Sequence, residues 1–173
     1  EALSCSTARE VEPLVHRFES ARPAPLIEPD LVVIGSESRT KEEAVKEIVD
    51  RLFVAGRTDR PREIEDAVWC REATYSTGFG HGFAIPHCKA DAVRSGSLGL
   101  LKLKTPVEWG ALDDKPVQVL ILLVIRESDQ PTEHLKVLAA LARNLMHQEF
   151  RDRLVQEEDP DEVCRFLKEN IGL

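Results

Sequence analysis

The segment that organises this chain runs Ser76-Thr77-Gly78-Phe79-Gly80-His81-Gly82-Phe83-Ala84-Ile85-Pro86-His87. Its three glycines at alternate positions let the backbone adopt positive φ angles and come close to other groups. The apolar run Phe83-Ala84-Ile85 predicts a short buried strand, and Pro86 fixes its own φ and favours an extended residue before it. The segment therefore predicts that His87 is presented at a strand end with little backbone freedom.

Helices are predicted on both sides of this segment along the chain. Thr40 opens the first with a capping box to Glu43, and Gly56 ends it. The other helices are expected over residues 61–73, 132–147, 148–156 and 161–169. In the first helix, the residues expected to face the core are Ala44, Val45, Ile48, Val49, Leu52 and Phe53. In the helix over residues 132–147, the longest, they are Leu135, Leu138, Ala139, Ala142, Leu145 and Met146.

Short apolar strands alternate with these helices, and no internal repeat is present. Strands are expected over residues 31–34, 83–85, 97–104 and 117–125, with a polar loop from His87 to Gly96. The run Val117 to Ile125 is apolar on both faces apart from Gln118, a pattern typical of a central strand covered by helices on both sides. The sequence therefore predicts an α/β fold, a three-layer α/β/α sandwich.

The overall composition is that of a globular chain. Among 173 residues, 42% are hydrophobic, and the formal net charge of −8 repels nucleic acid and anionic membrane surfaces. No apolar run approaches the roughly 18 residues of a membrane span, and no signal-peptide pattern opens the chain. Its cysteines (Cys5, Cys70, Cys88 and Cys164) are widely spaced, which disfavours a disulfide framework or a structural zinc site. We expect a cytoplasmic protein with reduced thiols.

Nucleotide-binding patterns are absent from the sequence. The spacing Gly78-x-Gly80-x-Gly82 differs from GxGxxG and precedes a strand, so it predicts no dinucleotide site. No GxxxxGK[ST] loop is present, so direct use of ATP is not indicated. We therefore expect neither a cofactor nor a bound metal.

Two parts of the chain differ in character. Residues 1–26 are expected to be an N-terminal extension or linker, and residues 27–173 the functional domain. A short helix is predicted over residues 8–18, and Pro23 and Pro25 frame a linker. Because the chain begins at Glu1 rather than Met, we expect a fragment or a processed chain.

The run Thr77 to His87 resembles the active-site signature of the enzyme IIA domains of the bacterial sugar phosphotransferase system, fructose/mannitol class. Arg71-Glu72, Glu133-His134-Leu135 and Leu141 to Arg151 fit the same family, and the last run is most similar to the fructose branch. The resemblance implies a mixed β-sheet within the sandwich. Residues 2–11 also resemble the tail of an enzyme I module, which would make the chain part of a multi-domain phosphoryl-transfer protein; an ordinary extension is the alternative.

The resemblance implies that His87 is the phosphorylated histidine, that His134 is its partner in the site, and that Arg71 lies near the phosphate. Neutral imidazole, with an unperturbed pKa of about 6.5, is a competent nucleophile near pH 7. A phosphohistidine carries nearly two negative charges and needs cations or donors around it. Arg71 precedes His87 by 16 residues and His134 follows it by 47, so spacing alone does not bring the three together.

The function implied by the family is that of a phosphotransferase in a relay. His87 would accept a phosphoryl group from HPr and pass it to a cysteine of an enzyme IIB partner during sugar uptake, with a membrane sugar permease as an associated protein. One alternative is a regulatory sensor of the nitrogen-related type. Another is a metal-binding hydrolase using His81, His87, Cys88 and His134, although acidic ligands are missing near these histidines.

Three further residues carry expectations. His81, between two glycines, is expected to be a surface loop residue. Cys88 is expected to be a small buried side chain that points away from His87, because neighbours in an extended segment lie on opposite faces. Phe79 is expected to be an exposed anchor for partner proteins.

Overall fold

A single mixed β-sheet forms the centre of the computed structural model, which describes residues 24–129 and 131–172. Its strands are β1 (Val32–Ser36), β2 (Gly78–Gly80), β3 (Phe83–Ala84), β4 (His87–Ala90), β5 (Ser97–Val107) and β6 (Val117–Arg126). They are ordered β1-β5-β6-β3-β2, and β4 also pairs with β6. The β5–β6 and β2–β3 pairs are antiparallel and the others are parallel, which confirms a mixed sheet.

Helices cover both faces of this sheet. They are α1 (Lys41–Val54), α2 (Pro61–Thr74), α3 (Pro131–Leu145), α4 (Gln148–Gln156) and α5 (Pro160–Ile171), with a short 3-10 helix at Pro29–Leu31. Buried residues of α1 and α2 belong to one core cluster, and those of α3, α4 and α5 to a second. The predicted three-layer sandwich is confirmed, whereas the helix predicted over residues 8–18 lies outside the described residues.

The central strand β6 separates the two cores by simple alternation. Leu120, Leu122 and Val124 belong to the cluster under α1 and α2, whereas Val119, Ile121, Leu123 and Ile125 belong to the cluster under α3, α4 and α5. Successive side chains of a strand point to opposite faces, so a strand buried on both faces must be apolar throughout. This explains the continuous apolar run in the sequence.

The capping signals of α1 act as predicted. Thr40 Oγ1 accepts a hydrogen bond from the Glu43 backbone at 3.2 Å, and Glu43 Oε2 accepts from the Arg39 N–H, one residue before the cap, at 2.7 Å. Gly56, with φ of 70°, follows the end of the helix. The inward prediction for Phe53 was wrong, because this side chain lies beyond the edge of the buried stripe and is 50% exposed.

The face of α3 that contacts the sheet is narrower than its apolar stripe. Leu141 and Leu145 are fully buried, but Leu135, Ala139 and Met146, which were predicted to face inward, are exposed. Within the described ranges, no helix is both long and apolar enough to cross a membrane.

The stretch after His87 is a strand rather than the predicted polar loop. Residues 87–90 form β4, which pairs in parallel with β6 from Leu123 to Arg126. Val93 is then buried and bridges to Thr58. Because these pairings are long-range, local polarity did not reveal them. His87 therefore opens a strand instead of ending one.

Candidate functional site

The glycine segment forms a tight connection between β2 and β3. Gly80, His81 and Gly82 all have positive φ, of 102°, 55° and 84°. Asp113 supports the turn, because its Oδ2 accepts the His81 N–H at 2.8 Å. The His81 side chain is exposed and lines a different pocket from that of His87, together with Lys115 and other residues. The surface position predicted for His81 is confirmed.

Gly78 is required by a close approach rather than by an unusual φ. A Cβ atom at this position would lie 2.6 Å from the Cα of Ala111, which leaves no room for a side chain. The next residue, Phe79, is only partly exposed and packs against the core under α3, α4 and α5. The prediction of an exposed aromatic anchor was therefore wrong, since β2 holds this ring against the sheet.

The Ile85-Pro86-His87 step places the imidazole. Pro86 lies between β3 and β4, which pair with β6 one after the other, and its carbonyl accepts the Leu123 N–H at 3.0 Å. The carbonyl oxygen of Ile85 lies 2.9 Å from Nδ1 of His87. A carbonyl can only accept, so this contact requires the proton on Nδ1 and leaves Nε2 with its lone pair.

Arg71 contacts that second ring nitrogen. Its Nε–H donates to Nε2 of His87 at 3.1 Å, and its Nη1 donates to the carbonyl of Tyr75 at 2.9 Å. The guanidinium is thus oriented from two sides at the end of α2. The two contacts on His87 together select one tautomer and one ring orientation.

The surroundings of His87 keep its imidazole neutral. Partial burial lowers the pKa of His87 below its ordinary value, and the Arg71 guanidinium lowers it further, while the Ile85 carbonyl and the Glu72 carboxylate oppose these effects. The net lowering means that the unprotonated Nε2, the form able to act as a nucleophile, predominates at neutral pH.

The third predicted residue lines the same pocket. The cavity measures about 210 Å³ and contains His87, Arg71, His134 and Lys89 over an apolar floor. His134 lies in the first turn of α3, so the pocket is at the positive end of that helix dipole. This volume is smaller than the roughly 300 Å³ at which small-molecule sites begin. The cavity is suited to a phosphoryl-sized anion held among cations.

Cys88 borders the same pocket, but its side chain is buried in the core cluster under α1 and α2, as predicted for a small buried residue. It is buried, its Sγ lies 4.0 Å from the carbonyl oxygen of Ile64, and burial raises the pKa of its thiol to about 12. The neutral thiol is a poor nucleophile and a poor metal ligand. Across the described parts of the chain, no group of three or more His, Cys, Asp or Glu side chains is placed to hold a metal ion.

Sequence reasoning missed two residues of the site. Lys89 lines the pocket; its position two residues after His87 would have placed it on the same face, had a strand been predicted there. Glu72 is buried beside the site. It was quoted with Arg71 as a motif but received no role.

Comparison with known proteins adds family relationships to this geometry. The model of the family described as "Phosphoenolpyruvate-dependent sugar phosphotransferase system, EIIA 2" matches residues 25–170. Multiphosphoryl transfer protein 2 of Escherichia coli is 36% identical over 100% of this chain, which spans 20% of that relative's length. The fructose-specific EIIA component of Haloferax volcanii is 33% identical, with 82% of this chain and 92% of that protein covered.

A solved structure shares the fold. The crystal structure of the nitrogen regulatory protein IIA-Ntr from Neisseria meningitidis superposes with a TM-score of 0.74 at 26% identity, covering 82% of this chain and 96% of that one.

Proposed function

Because the chain belongs to the EIIA 2 family of the phosphoenolpyruvate-dependent sugar phosphotransferase system, we propose that it relays a phosphoryl group through His87 from HPr to an enzyme IIB partner. Domains of this family are phosphotransferases that carry a phosphohistidine. The observation that supports His87 as the carrier is the pair of contacts on its ring, with Nδ1 on the Ile85 carbonyl and Nε2 facing Arg71 in the pocket.

The first transfer exchanges one phosphorus–nitrogen bond for another. Nε2 of His87 attacks the phosphorus of a phosphohistidine on HPr, and the bond from phosphorus to the donor nitrogen breaks as the new bond forms. In the second transfer a cysteine thiolate of the IIB partner attacks, and the electron pair of the breaking bond returns to Nε2. Nδ1 keeps its proton throughout, because the Ile85 carbonyl continues to accept it.

The cations of the pocket stabilise the transferred charge. In the described state Arg71 donates to the lone pair that must attack, so its Nε–H has to move from Nε2 to a phosphoryl oxygen during transfer. Lys89 and His134 line the same cavity and would contact the remaining oxygens. Catalysis of this kind depends on alignment and charge stabilisation.

The relatives support a proposal for the transported sugar and for the larger protein to which this domain belongs. The similarity to a fructose-specific EIIA component supports fructose or a related sugar as the transported substrate, which this domain would not itself bind. The match along the whole chain to a multiphosphoryl transfer protein supports a module of a larger protein, with residues 27–173 as the IIA unit and residues 1–26 as a linker. We place the relay in the cytoplasm, at a membrane sugar permease.

A regulatory sensor is the second candidate, favoured by the structural similarity to IIA-Ntr. His87 would be phosphorylated in the same way, but its phosphorylation state would control the binding of a partner. The two functions differ in the fate of the phosphoryl group, since only the relay passes it to a cysteine.

Reconstitution tests the relay and separates it from the sensor. The chain is incubated with phosphoenolpyruvate, enzyme I and HPr, and a fructose-class IIB domain is then added. We expect the chain to gain one acid-labile, base-stable phosphoryl group, as a phosphoramidate does, and to lose it to the IIB cysteine. Acceptance from HPr without transfer to any fructose- or mannitol-class IIB domain would contradict the relay in favour of the sensor.

The pH dependence of acceptance follows from the lowered pKa of His87. Since only neutral imidazole attacks, the rate should fall as the pH drops through the pKa of His87, and the midpoint of that fall should lie below the ordinary value of about 6.5. Arg71→Ala removes a positive charge and a side chain that covers His87, both of which lower the pKa of His87. The midpoint of the pH profile of this variant should therefore move to higher pH. Rapid-quench transfer from the same phospho-HPr measures both profiles. A wild-type midpoint above about 6.5 would contradict the described environment.

A further inference from the structure

Glu72 is a buried carboxylate next to the site that accepts hydrogen bonds from Thr77 and Ser76. Its Oε2 accepts from the Thr77 N–H at 3.0 Å and from the Thr77 hydroxyl at 2.5 Å, and its Oε1 accepts from the Ser76 hydroxyl at 3.3 Å. Trp109 Nε1 donates to the Thr77 hydroxyl at 3.4 Å, which leaves the hydroxyl proton directed at the carboxylate. A buried charge is costly unless it is hydrogen-bonded, and the Thr77 N–H and hydroxyl supply the two shortest bonds to this carboxylate.

The hydrogen bonds continue from Thr77 to the nucleophile. The Thr77 carbonyl accepts the Ile85 N–H at 2.9 Å, and the Ile85 carbonyl accepts the proton of His87 Nδ1 at 2.9 Å. The path from Glu72 therefore runs through the backbone of Thr77, just before β2, and of Ile85, just after β3, to the imidazole. The bond from Glu72 to Thr77 orients the Thr77 peptide, and the bond from Thr77 to Ile85 orients the carbonyl that accepts from His87.

Glu72 also follows Arg71 in the last turn of α2. The carboxylate thus ties the helix that carries the guanidinium to the segment before β2, whose Thr77 is linked to His87 through Ile85. Among the side chains that the structure describes, the charged and titratable groups around His87 are Arg71 and Glu72 from α2, Cys88 and Lys89 from β4 and His134 from α3. Within this described set, Glu72 is the one carboxylate.

We propose that Glu72 is the positioning residue for the nucleophile: through Thr77 and Ile85 it holds His87 with the proton on Nδ1 and Nε2 open to the incoming phosphorus. This role rests on the proposed relay. Glu72 touches neither the phosphoryl group nor Nε2, so its action is on ring orientation, tautomer and charge.

The decisive variant is Glu72→Gln, which keeps the shape of the side chain and removes its charge. We expect His87 to lose its single tautomer and its pKa to fall further, because both the carboxylate and the Ile85 hydrogen bond raise that pKa. Phosphoryl acceptance should slow by on the order of tenfold to a hundredfold, as expected for misplaced reacting groups. If the substitution instead loosened the packing around His87, the ring would become more exposed and its pKa would rise. The direction of the pKa change therefore distinguishes a positioning role of Glu72 from a packing role.

A pair of variants at Thr77 keeps the test informative if Glu72→Gln does not fold. Thr77→Ser retains the hydroxyl donor to Glu72 and should keep the tautomer and pKa of His87, whereas Thr77→Val removes the donor and should reproduce part of the defect. Asp66→Asn, an exposed carboxylate on the same helix, is the matched control for lost charge.

Ring-nitrogen NMR of His87 in the unphosphorylated chain gives tautomer and pKa without any partner protein. Acceptance from phospho-HPr is measured separately, so a chain that titrates as expected but accepts no phosphoryl group would contradict only the relay. A mixed tautomer and lowered pKa in Glu72→Gln, with Thr77→Ser and Asp66→Asn unchanged, would support the positioning role. An unchanged tautomer and pKa, or a pKa that rises, would overturn it.

Discussion

His87→Ala abolishes phosphoryl acceptance from phospho-HPr while the chain remains folded. Nε2 of this ring is the atom that we propose bonds to phosphorus, and alanine offers no nucleophile in its place. The side chain is only partly buried, at the start of β4, so its loss removes few core contacts. We expect a stability change of about 1 kcal/mol or less. Labelled phosphate uptake measures acceptance, and circular dichroism with thermal melting reports folding.

His81→Ala is the matched control, because it removes an imidazole from the same glycine-rich segment but from a different pocket. Its uptake should equal that of the wild type. Uptake that persists in His87→Ala, or that is lost equally in His81→Ala, would remove His87 from its role.

Arg71→Ala leaves the nucleophile in place but slows transfer by about a hundredfold, equivalent to roughly 3 kcal/mol of lost charge stabilisation. The guanidinium both orients Nε2 and would bind the transferred oxygens. Arg71→Lys should recover only part of the rate, because lysine keeps the charge but lacks the planar fork. Arg62→Ala, an exposed arginine of the same helix, should transfer normally.

His134→Ala should produce a defect of similar kind, because it removes a pocket side chain at the positive end of α3. Single-turnover rates with HPr as donor, and with the IIB domain as acceptor, measure both variants in both directions. Wild-type rates in either variant would exclude that residue from the stabilising set.

Local signals predicted the elements that depend on local physics. The apolar run of β6 and the Thr40 cap of α1 lie where the sequence predicted them. Burial on both faces and helix capping each depend on residues that are close together in the sequence. Phe53 and Leu135 were misplaced because a helical stripe shows which residues are apolar, but not how wide a face its neighbours cover.

Long-range pairing accounts for the other failures. β4 is polar and short, and only its partner β6 makes it a strand. For the same reason Lys89 was overlooked, although it shares the pocket with His87.

The site itself needed both the resemblance and the fold. Arg71, His87 and His134 are separated by 16 and 47 residues, and spacing gave no reason to join them. The fold brings them together because α2 ends, β4 begins and α3 begins around one cavity. Which ring nitrogen faces Arg71 depends on the Ile85 carbonyl, a backbone atom whose direction no sequence pattern encodes.

Identification of the phosphorylated atom tests the central claim most directly. The isotopically labelled chain is incubated with phosphoenolpyruvate, enzyme I and HPr, and phosphorus–nitrogen scalar coupling locates the new bond by NMR. We expect phosphorus bonded to Nε2 of His87, with Nδ1 still protonated and hydrogen-bonded to the Ile85 carbonyl. Phosphorus on Nδ1, on another residue, or absent from the chain would contradict the account.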